Sequence, residues 1–80
     1  MDDEAIRARA GRGIRAALEA RAAADATSVN KTIGKLAQDA DLDPSRVWVW
    51  ARGAGLPSVP GLIKMADWLD VPLDGLVGRD

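Results

Sequence analysis

The chain has neither cysteine nor histidine. Without cysteine there is no disulfide framework and no thiolate metal site. Without histidine the commonest metal ligand and the usual general base are both missing. Phenylalanine and tyrosine are absent too, so three tryptophans make up the whole aromatic content. Alanine and leucine dominate instead, which favours helices over strands. No apolar run approaches the roughly 18–20 residues of a membrane span, and no signal-peptide pattern is visible, so a cytoplasmic chain without membrane contact is expected. There is no Ser/His or Cys/His pair, no metal cluster and no glycine-rich phosphate loop after a strand. The carboxylates are scattered as caps and surface charges. An enzyme is not expected, nor a cofactor, a metal or a small-molecule ligand.

Eighty residues suit one small domain spanning 1–80, and 48% apolar content is enough for a core. The net charge of −1 hides an uneven distribution. Residues 1–4 carry three acids; residues 5–52 carry nine Arg or Lys against five acids; residues 53–80 carry two bases against four acids. The positive charge therefore gathers in the half that holds the most informative stretch.

That stretch is Leu36 to Gly53, LAQDADLDPSRVWVWARG. Leu36, Ala37 and Ala40 lie at helical spacing and close one helix. Asp41-Leu42-Asp43 makes a turn. Asp43 suits an N-cap, and Pro44 suits the first helical position, where a missing N–H costs nothing. A second helix runs from Pro44 to about Arg52 and stops at Gly53. Val47 and Trp50 share one face at i, i+3. Two short helices joined in this way describe a helix-turn-helix, whose second helix enters the DNA major groove.

The stretch resembles the helix-turn-helix of the phage repressor and Cro type, the xenobiotic-response-element family. Leu36-Ala37, Asp43, Val47, Trp50 and Arg52-Gly53 match its pattern in order and without a gap. Pro57-Ser58, Leu62, Met65-Ala66, Leu69, Val71, Leu73 and Leu76 resemble its fourth and fifth helices. The resemblance implies an all-α, five-helix repressor-like domain with the helix-turn-helix at about 28–53. The chain departs from the pattern in three places. Its first helix is lengthened, with extra residues between Arg21 and Lys31. Asp41 stands where a turn glycine is usual, and Asp tolerates the left-handed conformation better than most residues. Ala51 stands where an acid is common.

The remaining elements follow from pattern. The first helix spans about Asp3 to Ala24, with Ile6, Ala10, Ile14 and Leu18 as its buried side; Gly11 and Gly13 weaken its middle by roughly 1 kcal/mol each. Thr27 or Ser28 caps the second helix, whose apolar stripe is Val29, Ile33, Leu36, Ala37 and Ala40; Thr32 is a later cap candidate. Ser58 caps a fourth helix, Val59 to Leu69. Asp70-Val71-Pro72 breaks the chain, and Leu73 to Val77 forms a last short helix before Gly78, Arg79 and Asp80. Leu36, Ala37, Val47, Trp50, Leu62, Leu69 and Leu76 are expected in the core.

The resemblance places Pro44, Ser45 and Val49 at base-reading positions, although Pro44 brings no donor. Ser45 can bond either sort of base, and Val49 can touch a thymine methyl. Arg46 can reach a guanine or a phosphate. Trp48, about 200° around the helix from Trp50, is expected on the groove side. Backbone contacts are expected from Asn30, Lys31, Thr32 and Lys35 at the second helix, and from Arg52, Gly55 and Ser58 beyond the third. Trp68, Val71, Leu73, Leu76 and Val77 are the candidate surface of a homodimer on half-sites about 34 Å apart.

The expected function is that of a sequence-specific double-stranded-DNA-binding regulator, a small Cro-like or immunity-type repressor. Two other readings fit the same residues. One is an antitoxin that binds a toxin protein and represses its own operon. The other is a protein-interaction module that kept the fold and lost DNA binding.

Overall fold

A computed structural model describes residues 2–77, so Gly78, Arg79 and Asp80 lie outside the described residues. Five helices follow in order: α1 (Asp3–Ala24), α2 (Val29–Ala40), α3 (Pro44–Ala51), α4 (Val59–Leu69) and α5 (Leu73–Leu76). The described residues contain no strand.

Each of the four longer helices begins with a side-chain cap. Asp2, Ser28, Asp43 and Ser58 accept hydrogen bonds from the backbone N–H groups of Ala5, Lys31, Ser45 and Gly61, at 2.7, 3.1, 2.9 and 3.2 Å. Each occupies a donor that the helix itself leaves unpaired. The second helix therefore starts after Ser28. Thr32 lies inside it, with its hydroxyl donating to the Ser28 carbonyl at 3.0 Å.

The same four helices end alike. Ala26, Asp41, Gly53 and Asp70 take φ of 53°, 55°, 74° and 56°. The next residue's N–H then returns to a carbonyl five positions back: Thr27 to Ala22, Leu42 to Ala37, Ala54 to Val49 and Val71 to Ala66, at 2.8–3.1 Å. This is the Schellman closure, and it usually falls on glycine. Here only one of the four positions is glycine, so the turn after α2 forms on Asp41 as its short polar side chain allows.

α1 is the central strut and packs on α2, α3, α4 and α5. Its buried side is Ala10, Gly11, Ile14, Leu18 and Ala22. Ile6 does not belong to it: at 39% exposure it stands outside the core. The glycine-rich middle does not break the helix, because Gly11 is where α1 meets the end of α3. A Cβ added there would lie 2.6 Å from Gly53 N and 2.7 Å from Gly53 Cα. The core joins Ile14 and Leu18 to Ile33, Leu36, Val47, Trp50, Met65, Leu69 and Leu76. Leu62 packs on it half-buried.

Candidate nucleic-acid interface

α3 rests on α1 and α2. Val47, Trp50 and Ala51 fix its inner side. At about 100° per residue, Ser45, Val49 and Arg52 fall roughly 160°, 200° and 140° from Val47, on the opposite side. Pro44, Ser45, Arg46 and Arg52 are exposed. Val49 is half-buried, and Gly55 of the following loop lies beside it: a Cβ on Gly55 would come within 3.2 Å of Val49 Cγ1. The bare part of α3 is thus its first turn, the part of a reading helix that meets base edges.

Trp48 is not free on that face. It is half-buried against the core, with the Arg15 guanidinium of α1 5.7 Å from its ring centroid. The reason lies in Ala51, which sits three residues on and is only 6% exposed. Reckoning from Val47 and Trp50 alone sets the buried arc too narrow. The burial of Ala51 widens it towards Trp48, and α1 covers that flank.

Asn30, Lys31 and Lys35 are exposed on α2. Thr32 is 3% exposed and its hydroxyl is committed to Ser28, so it offers no surface donor. Ser58 is exposed, but its Oγ serves as the α4 cap; Gly55 is half-buried in the loop.

The residues proposed from sequence for a dimer separate into two groups. Leu76 is fully buried and closes the core from α5, so it has no surface to give. Trp68 is half-buried, and its polar edge and ring face are already engaged within the chain. Its Nε1 donates to Asp39 Oδ2 at 3.0 Å, its carbonyl accepts from Arg21 Nη1 at 2.9 Å, and the Arg21 guanidinium lies 4.3 Å from its ring centroid. Leu73 is 45% exposed, while Val71 and Val77 are half-buried. Leu56 and Val59, at 50% and 68% exposure, add to the uncovered apolar surface, with Ile6 and Ile63. A cleft of about 350 Å³ links Ile6, Leu56, Pro57, Leu62 and Val77.

Sequence reasoning missed both cation–aromatic pairs. Only the i, i+4 spacings of Arg15 with Glu19 and of Arg21 with Asp25 were open to reading; their side chains meet at 3.8 and 3.0 Å. The Trp68–Asp39 bond spans 29 residues and leaves no local trace. Among the described residues no group of His, Cys, Asp or Glu could hold a metal ion, and no helix is long and apolar enough to cross a membrane.

One curated protein is similar to this chain: the cryptic phage CTXphi transcriptional repressor RstR of Vibrio cholerae serotype O1. The two are 31% identical over 62 residues, which is 78% of this chain and 55% of the repressor. The chain therefore spans about half the length of the relative it matches. No family model matches it, and no solved structure does.

Proposed function

We propose that this protein is a double-stranded-DNA-binding transcriptional regulator, a repressor of the phage type, which reads its operator with the first turn of α3. The observation that carries this reading is the pairing of α2 and α3. A left-handed Asp41 and an Asp43 cap set α3 on α2, while Pro44, Ser45 and Arg46 are left bare at its start. Similarity to a phage transcriptional repressor over most of the chain supports it. The helix-turn-helix is taken to be of the Cro type, which residues 36–53 resemble.

In this reading Ser45 and Arg46 read base edges, Val49 offers a methyl surface at the margin of the loop, and Arg52 meets the backbone beyond the helix. Asn30, Lys31 and Lys35 hold the phosphates on the α2 side. Pro44 contributes shape and no hydrogen bond. Trp48 stiffens the α1–α3 junction.

Selection of bound duplexes from random DNA at stated salt tests this directly. One enriched motif is expected, bound more weakly by Ser45→Ala and Arg46→Ala, with relaxed preference at one or two positions and about 1–3 kcal/mol lost per base contact. Recovery of no motif and no salt-dependent binding would refute it.

The uncovered apolar residues favour a second layer to the same function, a twofold dimer. Leu73 and Val77, with Leu56 of the preceding loop and Ile63 of α4, take the place of Trp68 and Leu76 as its contacts. The same surface would serve a toxin partner in the antitoxin reading, which a toxin gene beside this one would favour.

A further inference from the structure

The start of α2 and the end of α1 enclose an open cleft of about 330 Å³, lined by Arg21, Asp25, Thr27, Lys31, Lys35 and Trp68, with Thr32 at its edge. Lys31 and Lys35 are one helical turn apart on α2 and share a side of it. Neither has an acid within ion-pair distance among the described residues. Asp25 is the one acid in the lining, and Arg21 Nε already donates to it at 3.0 Å. The cleft therefore keeps an excess of two positive charges.

Arg21 differs from the two lysines in being fixed. Asp25 holds Nε, the Trp68 carbonyl holds Nη1 at 2.9 Å, and the guanidinium carbon lies over the Trp68 ring, 4.3 Å from its centroid. Trp68 is itself anchored through Asp39. Nη2 has no protein acceptor among the described residues. A guanidinium with three restraints and a free N–H edge loses little entropy on meeting an anion, whereas a lysine must order its whole stem.

The geometry points to Arg21 as a third phosphate contact: the cleft seats one phosphodiester of the DNA backbone, with Arg21 the rigid member of an Arg21–Lys31–Lys35 trio. This rests on the DNA-binding reading above. It adds an anchor from the lengthened α1, outside the helix-turn-helix itself. The tie from Arg21 to Trp68 also joins α1 to α4, so stability alone cannot test the role.

The test is binding of the selected duplex, and of an unrelated one, measured by fluorescence anisotropy across a KCl series. Wild type, Arg21→Gln, Asp25→Asn and, as a distant control, Asp74→Asn are compared after each is shown folded by circular dichroism. Arg21→Gln keeps an amide donor for the Trp68 carbonyl and loses the charge. It is expected to weaken both duplexes alike and to lower the slope of log K against log salt by about 0.9. Asp25→Asn removes the only acid of the cleft and is expected to strengthen both, more than Asp74→Asn does. Should Arg21→Gln fail to fold, the Asp25→Asn and Asp74→Asn comparison decides. Wild-type binding that Arg21→Gln and Asp25→Asn leave unchanged in affinity and slope overturns the cleft assignment while the DNA reading stands. So does a cleft that takes inorganic phosphate, seen as amide NMR shifts across residues 27–35, without those changes in DNA binding. Failure of the wild type to bind any duplex overturns both.

Discussion

Gly11→Ala should destabilise this domain, against the ordinary rule for helices. At an exposed helix interior the exchange gains about 1 kcal/mol, because glycine gives up the most backbone freedom on folding. At Gly11 the new Cβ would stand 2.6 Å from Gly53 N, 2.7 Å from Gly53 Cα and 3.0 Å from the Trp50 carbonyl oxygen. Carbon atoms in contact prefer about 3.5–4.0 Å, so the α1–α3 junction must open by close to 1 Å. None of the three atoms can swing aside, since all are backbone, and Gly53 is pinned in a left-handed conformation. Forcing a methyl into a packed contact costs about 1–3 kcal/mol, and more where backbone must move. The larger end of that range applies, and subtracting the helix gain leaves a net loss of roughly 1–2 kcal/mol. In a domain of this size that lowers Tm by about 4–8 °C per kcal/mol. Gly34→Ala is the internal control. It lies mid-helix in α2, nothing stands within 4 Å of its added Cβ, and it should raise Tm by the helix gain alone. Thermal unfolding by circular dichroism measures both. A Gly11→Ala protein as stable as wild type, with Gly34→Ala raised as expected, would refute the close approach of α1 to the end of α3.

Trp50→Ala should cost about 3–5 kcal/mol, being 7% exposed in the core, while Trp48→Ala should cost a smaller 1–2 kcal/mol or so from its half-buried ring and Arg15 contact. An unchanged Tm for Trp48→Ala would return that ring to the groove face. Leu76→Ala should lose about 2–5 kcal/mol, since α5 closes the core through it, and chemical denaturation reads the loss. Leu73→Asp with Val77→Asp should leave Tm near wild type but abolish self-association in sedimentation equilibrium; a wild type that stays monomeric at micromolar concentration, with a single unrepeated half-site in its footprint, removes the dimer. Lys31→Ala and Lys35→Ala should each lower the salt slope of DNA binding by about 0.9 without changing sequence preference.

Most of the helix plan could be read because each boundary is written locally. Asp2, Ser28, Asp43 and Ser58 cap within three residues, and Pro44 starts α3 where its ring fits. The stripe from Val29 to Ala40 carries the period of a helix with one buried side, and Ser28 rather than Thr32 therefore begins α2. Helix ends were nearly as legible: α1 and α4 stop at Ala24 and Leu69 as expected, although Ala26 and Asp70 enter the left-handed region without a glycine to announce it, and α3 and α5 stop one residue short of Arg52 and Val77. The side chains of the site were harder to read, because their neighbours come from other helices. Thr32 looks like a free surface hydroxyl, but it is buried and its proton goes back one turn to the Ser28 carbonyl. Ile6 looks like core because it stands at i−4 from Ala10, yet it is 39% exposed and lines the open cleft with Leu56, Leu62 and Val77 instead of closing it.

The three tryptophans show why the length of α1 matters to the site. Trp50 points into the core, Trp48 lies under Arg15, and Trp68 lies under Arg21. Arg15 and Arg21 are both on α1, less than two turns apart, and one reaches α3 while the other reaches α4 and the mouth of α2. A helix ended before Arg21 would lose the second of these ties and leave Trp68 anchored only through Asp39. α1 therefore does two things at once: Arg15 and Gly11 in its first half brace α3, and its lengthened end, from Arg21 onward, sets a restrained cation beside Lys31 and Lys35. In the proposed DNA-binding reading, a chain with a net charge of −1 needs its few cations placed and held, since as a whole it gives a polyanion no general attraction.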